Sequence, residues 1–289
     1  MSRFIIHQSQ VPMHIELEHA HLLKIHEETI PSLLSNLSDQ IRRDNLLKNP
    51  VIVDSKTLTV LDGSHRFVAL KDLLKASFIP ICAIDYDSPQ VKVEVWYRLA
   101  CGDSQRTNEV LNYLARNEKL ESIDLRQIDD LIKSRKVAFC ILSRDGVLAK
   151  FMEFNCSIEA YQKLKCIEHL IIQAGLSIQY LSDVRSALQA IFGKQATMLL
   201  IPPPISKEDV RAVALKGLLY PPKSTRHIIP SRPLYLNIPL SILYSQSDKE
   251  KASSLLMEHL SKGFFERKPP YTKIEDRVYT EDVLVFKRY

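Results

Sequence analysis

At 289 residues, with 45% hydrophobic and 25% charged positions, the chain has the balance of a globular protein able to build a sizeable core, in one large domain or two ordinary ones. No uncharged apolar run approaches the roughly 18 residues of a membrane helix, and Met1-Ser2-Arg3-Phe4-Ile5-Ile6-His7-Gln8 lacks the features of a signal peptide, so the chain is read as cytoplasmic with no membrane partner. A net charge of +5 suits an anionic ligand but falls short of the concentrated basic face that nucleic-acid binding calls for.

Residues 14–26 contain four histidines, His14, His19, His21 and His26, at spacings that fit no common zinc pattern. Apolar residues at Ile30, Leu33, Leu34, Leu37 and Ile41 predict a helix over 30–43. Pro50 stops it, and Val51-Ile52-Val53 reads as a strand that turns at Ser55-Lys56 and pairs with 58–61. Then come Asp62-Gly63-Ser64-His65-Arg66, a helix over 67–74, a strand over 79–86 and a short alternating strand over 91–97. The polar stretch 102–108 is read as a linker. Beyond it helices (110–115, 125–132, 160–174, 181–192, 207–216) alternate with strands (137–142, 197–202), a mixed α/β pattern. The expected division is a first domain over 1–101 and a second over 102–289, with a C-terminal extension over 245–289 that holds a helix at 249–260, a break at Lys268-Pro269-Pro270 and a terminal strand. The five cysteines form no C-x-x-C pair and read as buried free thiols.

Three clusters carry chemistry. Asp62-Gly63-Ser64-His65-Arg66 joins a strand to a helix, where a glycine lets backbone N–H groups face an anion, His65 and Arg66 add donors, and Asp62 suits Mg²⁺ or a ribose hydroxyl. The same run also reads as an ordinary strand–turn–helix with surface charges. Lys24-Ile25-His26-Glu27-Glu28 supplies a carboxylate that can accept a hydroxyl proton, or is a solvated turn. Pro221-Pro222-Lys223-Ser224-Thr225-Arg226-His227 puts hydroxyls, an arginine and a histidine in a proline-fixed loop, a cradle for carboxylate or phosphate or a rigid surface loop. No Walker A motif is present: Gly193-Lys194 lacks the upstream glycine and the following Ser or Thr. Protein-kinase H-R-D and D-F-G motifs are missing too.

In this order, His26-Glu27, Pro50, Val51-Ile52-Val53, Asp62-Gly63-Ser64-His65-Arg66, residues 91–97 and Tyr220-Pro221-Pro222-Lys223-Ser224-Thr225-Arg226-His227 resemble the free L-serine kinases of archaea and their siderophore-pathway relatives in bacteria, over residues 15–244. The resemblance implies a ParB/sulfiredoxin-like N-terminal domain, a second α/β domain and an active site in the cleft between them. It implies phosphorylation of the L-serine hydroxyl by ADP or ATP with Mg²⁺, giving O-phospho-L-serine for cysteine biosynthesis. It makes Glu27 the base and Asp62 a catalytic acidic residue near the metal, and assigns the nucleotide phosphates to Asp62, Gly63, Ser64, His65 and Arg66. Trp96, Thr225, Arg226 and His227 match serine-binding positions. Gln40 stands where the family has a substrate-site serine, which keeps open a kinase for another small alcohol or amino acid. A ParB-like, nucleotide-dependent DNA-binding protein is the other reading, although no helix-turn-helix is evident. A sulfiredoxin-type reductase needs a cysteine where Ser64 stands and is excluded.

Overall fold

The computed structural model describes residues 3–244 and 248–289, so Met1-Ser2 and the expected start of the C-terminal extension at Ser245 lie outside the described residues. The chain forms two compact units. The first holds residues up to Lys92, then Arg211–Leu218 and His227–Tyr289; the second holds Val93–Val210 and Leu219–Arg226. The sequence-based boundary at 101/102 thus falls inside the second unit, and the C-terminal segment belongs to the first.

The first unit opens with β1 (Phe4–Ile5), β2 (Met13–His19), α1 (Pro31–Asp44), β3 (Leu46–Leu47), β4 (Val51–Asp54), β5 (Val60–Asp62), α2 (Ser64–Val68), which continues into a π-helical turn (Ala69–Leu73), and β6 (Phe78–Ile84). Strand order is β1-β2-β6-β4-β5, with β6 antiparallel to β2 and parallel to β4. β6 lies at the sheet's centre and is buried along its whole length, as a run of Phe78-Ile79-Pro80-Ile81-Cys82-Ala83-Ile84 should be. Helix α1 starts with Pro31 at its first turn, ends at Asn45 in the left-handed conformation, and packs on α2 and the π turn. The predicted helix and strands are present here; β2, with its His-x-Glu-x-Glu polar residues, was not anticipated as a strand.

In the second unit, β7 (Lys92–Val95) begins at the crossing from the first. Then follow β8 (Tyr97–Cys101), α3 (Ser104–Asn117), β9 (Glu121–Ile123), α4 (Ile128–Lys133), β10 (Val137–Ser143), β11 (Gly146–Phe151), α5 (Ile158–Gln173), β12 (Ser177–Leu181), α6 (Val184–Phe192) and β13 (Met198–Ile201). Six strands form an antiparallel sheet in the order β12-β8-β13-β10-β11-β9. Cys140 and Leu142 join a core with Ile128 and Ile132 of α4 and Ala187 and Ile191 of α6, while Phe139 and Ile141, alternating with them, are as deeply buried under the other face.

Two expectations change here. The single strand over 91–97 is two strands broken at Trp96. The supposed linker is a helix start: the Asp103 side chain accepts from Arg106 N–H at 2.9 Å, and buried Thr107 hydrogen-bonds Thr197. Of the five free cysteines, Cys82 and Cys140 are buried as expected, whereas Cys166 is exposed.

The chain continues through α7 (Lys207–Leu215), β14 (Thr225–Ile228), β15 (Ser231–Leu234), β16 (Ile238–Pro239), α8 (Leu240–Tyr244), α9 (Lys249–Ser261), β17 (Gly263–Lys268), β18 (Thr272–Ile274), β19 (Arg277–Tyr279) and β20 (Asp282–Arg288). The expected loop over 221–230 is therefore partly strand. The C-terminal segment is built into the first unit: α9 packs on β2, with Lys249 Nζ 2.6 Å from Glu18, and β20 lies between β15, parallel, and β17, antiparallel.

Where β17 starts beside β20, a Cβ on Gly263 would collide with the Lys287 carbonyl. Backbone cannot yield there as a flexible side chain would. Gly263→Ala is expected to cost about 1–3 kcal/mol of stability, read as a lowered Tm in thermal denaturation. An unchanged Tm would mean that this strand pair is not packed as described.

Candidate active site

The first unit gathers most of the anticipated residues around the end of β5. Gly63 follows Asp62 with φ of +96°, a conformation that favours glycine. A Cβ there would also lie 2.6 Å from Arg66 Nη2. The missing side chain therefore lets Arg66 fold back one helical turn, where its Nη2 donates to Asp62 Oδ2 at 2.9 Å. Phe67 N–H bonds the Gly63 carbonyl at 2.9 Å, closing the first helical turn; the N–H groups of 64–66 at such a start have no acceptor within the helix.

A second guanidinium, unanticipated from the sequence, reaches the same carboxylate. Arg232 Nη1 on β15 stands 3.1 Å from Asp62 Oδ2. Burial alone would raise the pKa of Asp62, but Arg232, Arg66 and, at longer range, Arg277 hold its carboxyl well below the usual carboxylate range. Arg66 Nε is a buried nitrogen with no hydrogen-bond acceptor among the described residues. Donor capacity beside a strongly ionised carboxylate is what an anion site needs.

Glu27 is brought to this turn by its neighbours. Lys24 N–H donates to the Leu58 carbonyl at 3.1 Å and the Lys24 carbonyl accepts from Val60 N–H at 2.8 Å, laying the segment along β5. On its other side Ile30 N–H donates to His65 Nε2 at 2.9 Å. Half-buried Glu27 sits between these anchors. His65 thus spends Nε2 as an acceptor, which puts the ring proton of the neutral tautomer on Nδ1.

His26 and His227 form a wall of the same region. Both are buried, their rings meet edge to face at 5.4 Å, and His227 Nε2 hydrogen-bonds the Tyr86 hydroxyl at 2.8 Å. Burial keeps both neutral: His26 is pushed down to about 4, and His227 well below the ordinary histidine value. Gln40 is not in this group, since it lies on the exposed side of α1. Ser38, two residues earlier, is on the buried side, with no hydrogen-bond partner for its hydroxyl among the described residues. Helical periodicity separates these two positions: the buried stripe of α1 includes Ser38 and Ile41.

The second unit holds Trp96, Thr225 and Arg226. Half-buried Trp96 donates Nε1–H to the Thr225 carbonyl at 3.1 Å. Lys223 Nζ lies 5.2 Å and Arg226 Cζ 5.8 Å from the ring centroid, and Arg226 also donates to Glu94 at 2.9 Å. Two cations beside one indole ring are suited to a carboxylate or phosphate. Behind it, Arg98 is fully buried, donates to the Trp96 carbonyl at 2.5 Å and to Glu168 at 2.6 Å, and fixes the break between β7 and β8. Ser64 heads α2, half-buried.

No protein-family model matches the chain. A protein of Sulfolobus acidocaldarius named ParB-like protein is 30% identical over 206 residues, spanning 71% of this chain and 86% of that one. An ATP-dependent L-serine kinase of Staphylothermus marinus is 28% identical over 228 residues, 75% of this chain and 86% of that one. An ADP-dependent L-serine kinase of Thermococcus kodakarensis is 24% identical, covering 77% and 90%. Among solved structures, a free serine kinase in complex with AMP superposes with a TM-score of 0.67 at 23% identity, over 80% of this chain and 93% of that one. The fold expectation is met by this likeness. Among the described residues no helix is long and apolar enough to cross a membrane.

The depressed His26 predicts acid sensitivity. In the folded protein His26 binds its proton at about 4, against 6.5 when unfolded. Its contribution is therefore complete above pH 6.5 and lost as the pH falls from 6.5 towards 4, by on the order of 3 kcal/mol. Unfolding free energies across that range should show a shallower decline in His26→Gln than in the parent; parallel curves would refute this assignment.

Proposed function

The chain belongs to the free L-serine kinase family of ParB-like proteins, and from that premise we propose that it transfers a phosphoryl group from ATP or ADP to the hydroxyl of free L-serine, giving O-phospho-L-serine. The observation that carries the reading is the meeting, in one unit, of the Glu27 segment with a glycine turn whose carboxylate is flanked by two guanidinium groups. Base, anion site and charge compensation are the parts phosphoryl transfer requires.

In this reading Glu27 accepts the serine hydroxyl proton as the oxygen attacks phosphorus. The serine O–P bond forms, the bridging O–P bond of the nucleotide breaks, and ADP or AMP leaves with the electron pair. Arg66 and the N–H groups of the turn offset the charge on the phosphates. Asp62 is the protein residue that would hold Mg²⁺, through Oδ1, which takes no part in the contacts that Arg66 and Arg232 make with Oδ2. When bound, the ion neutralises phosphate charge. Trp96, Thr225 and Arg226 are proposed to bind serine, with Arg226 on its carboxylate; His227, buried and neutral, shapes the site. Gln40 on the exposed side of α1 gives little reason to favour another alcohol. A cytoplasmic enzyme whose product enters cysteine biosynthesis is consistent with this chemistry.

Incubation with L-serine, Mg²⁺ and ATP or ADP in turn, followed by phosphorus NMR, should reveal O-phosphoserine; absence of product with both nucleotides overturns the reading. Glu27→Ala should lower kcat about 10³-fold with the fold intact, and retained turnover would remove Glu27 as the base. Arg226→Ala should raise the KM for serine roughly 10- to 100-fold, and an unchanged KM would place the serine carboxylate elsewhere.

A further inference from the structure

The C-terminal segment has no role in the scheme so far, yet one of its side chains lies one residue away from the carboxylate at the centre of the site. Strands β15 and β20 run parallel, with Ser231 opposite Asp282 and Arg232 opposite Val283. That register brings Glu281, just before β20, beside the guanidinium of Arg232. Arg232 is 6% exposed, so its nitrogens face protein. Nε donates to Glu281 Oε1, Nη2 donates to the His227 carbonyl at 2.9 Å, and Nη1 stands 3.1 Å from Asp62 Oδ2. One planar fork therefore joins three segments distant in sequence: the Asp-Gly turn, the end of the Thr-Arg-His run and the C-terminal strand.

We propose that Arg232 is a positioning residue for Asp62, that Glu281 is the group that keeps Arg232 in place, and that the C-terminal segment is through this pair a working part of the active site. The proposal rests on the serine-kinase reading. Burial keeps Arg232 from touching substrate directly, so its effect passes through Asp62 and the His227 backbone. Its three contacts diverge from a rigid plane, and a lysine, with one nitrogen, cannot make them together. Without the Glu281 carboxylate the Nε side of the fork has no partner, and the plane is free to turn away from Asp62. Asp282, the next residue, is engaged elsewhere through Oδ2, by Arg267 and Gln10. Arg277 on β19 also acts on Asp62, but only at longer range.

The test compares the full chain with Glu281→Ala, Glu281→Gln, Arg232→Lys and the Arg232→Lys/Glu281→Ala double variant. Glu281→Ala should lower kcat for serine phosphorylation about 10- to 100-fold, as loss of an outer-shell partner commonly does, while KM for serine stays within about twofold. Glu281→Gln, which keeps an acceptor oxygen, should recover most of that loss, and the double variant should be no slower than Arg232→Lys alone, since the pair acts as one unit. A Glu281→Ala protein with parental kcat per folded molecule, even with a lower Tm, overturns the proposal and leaves Glu281 a structural residue. If the parent makes no O-phosphoserine with either nucleotide, the functional reading fails instead, and a crystal structure of Glu281→Ala decides the positioning claim. A displaced guanidinium supports it, and a contact to Asp62 still near 3.1 Å refutes it.

Discussion

The candidate site depends on one carboxylate lying between two guanidinium groups. Half-buried Asp62 would be costly to keep ionised alone; Arg66 at 2.9 Å and Arg232 at 3.1 Å make the ionised form the stable one. Each contact has its own structural requirement. Arg66 reaches back only because Gly63 has no side chain and accepts a left-handed φ. Arg232 reaches in only because β15 runs beside β20, which brings Glu281 to its other edge. Arg66 and Arg232 thus compensate one carboxylate from two directions. Local glycine chemistry and a long-range strand pairing thus converge on the same oxygen.

Around this charged centre the first unit packs apolar and uncharged groups. The sheet beneath it is built on β6, buried from end to end, and the wall beside it on His26 and His227, both neutral through burial. Low local polarity strengthens each ion pair at the turn and raises the penalty for leaving a donor unused. The second unit uses the same device differently. Fully buried Arg98, held by Glu168, which accepts in turn from the Tyr180 hydroxyl at 2.9 Å, fixes the backbone of Trp96, and two cations lie 5.2 and 5.8 Å from the ring centroid. In both units a buried arginine positions the residue that faces the ligand in the proposed scheme.

Much of this was legible in the sequence where chemistry is local. The helical spacing of Ile30 to Ile41, the β-branched run at 51–53 and the Asp-Gly turn each specify their structure within a few residues, and each is found. What was missed is set by distant partners. The polar stretch at 102–108 resembles a linker until Asp103 is seen capping α3 and Thr107 bonding Thr197. Gln40 is marked by the family resemblance, and the structure shows it exposed on α1 while Ser38 is buried. Arg232 and Glu281 carry no local motif at all. Only a parallel strand register, invisible to periodicity, makes them neighbours of each other and of Asp62. The odd placement of charge in Ser231-Arg232-Pro233-Leu234, a strand buried throughout, is the one signal that pointed to Arg232.

The two guanidinium groups also divide the work between the acidic residues. A carboxylate whose proton affinity is driven far down by its neighbours is a poor acceptor for a hydroxyl proton, however near the substrate it lies. Asp62 is therefore suited to fixed negative charge, orienting the guanidinium groups and a phosphate-bound cation, and not to moving protons. The hydroxyl proton needs a different acceptor. Glu27 is the carboxylate that the segment along β5 carries towards the turn. In the proposed scheme that acceptor is Glu27.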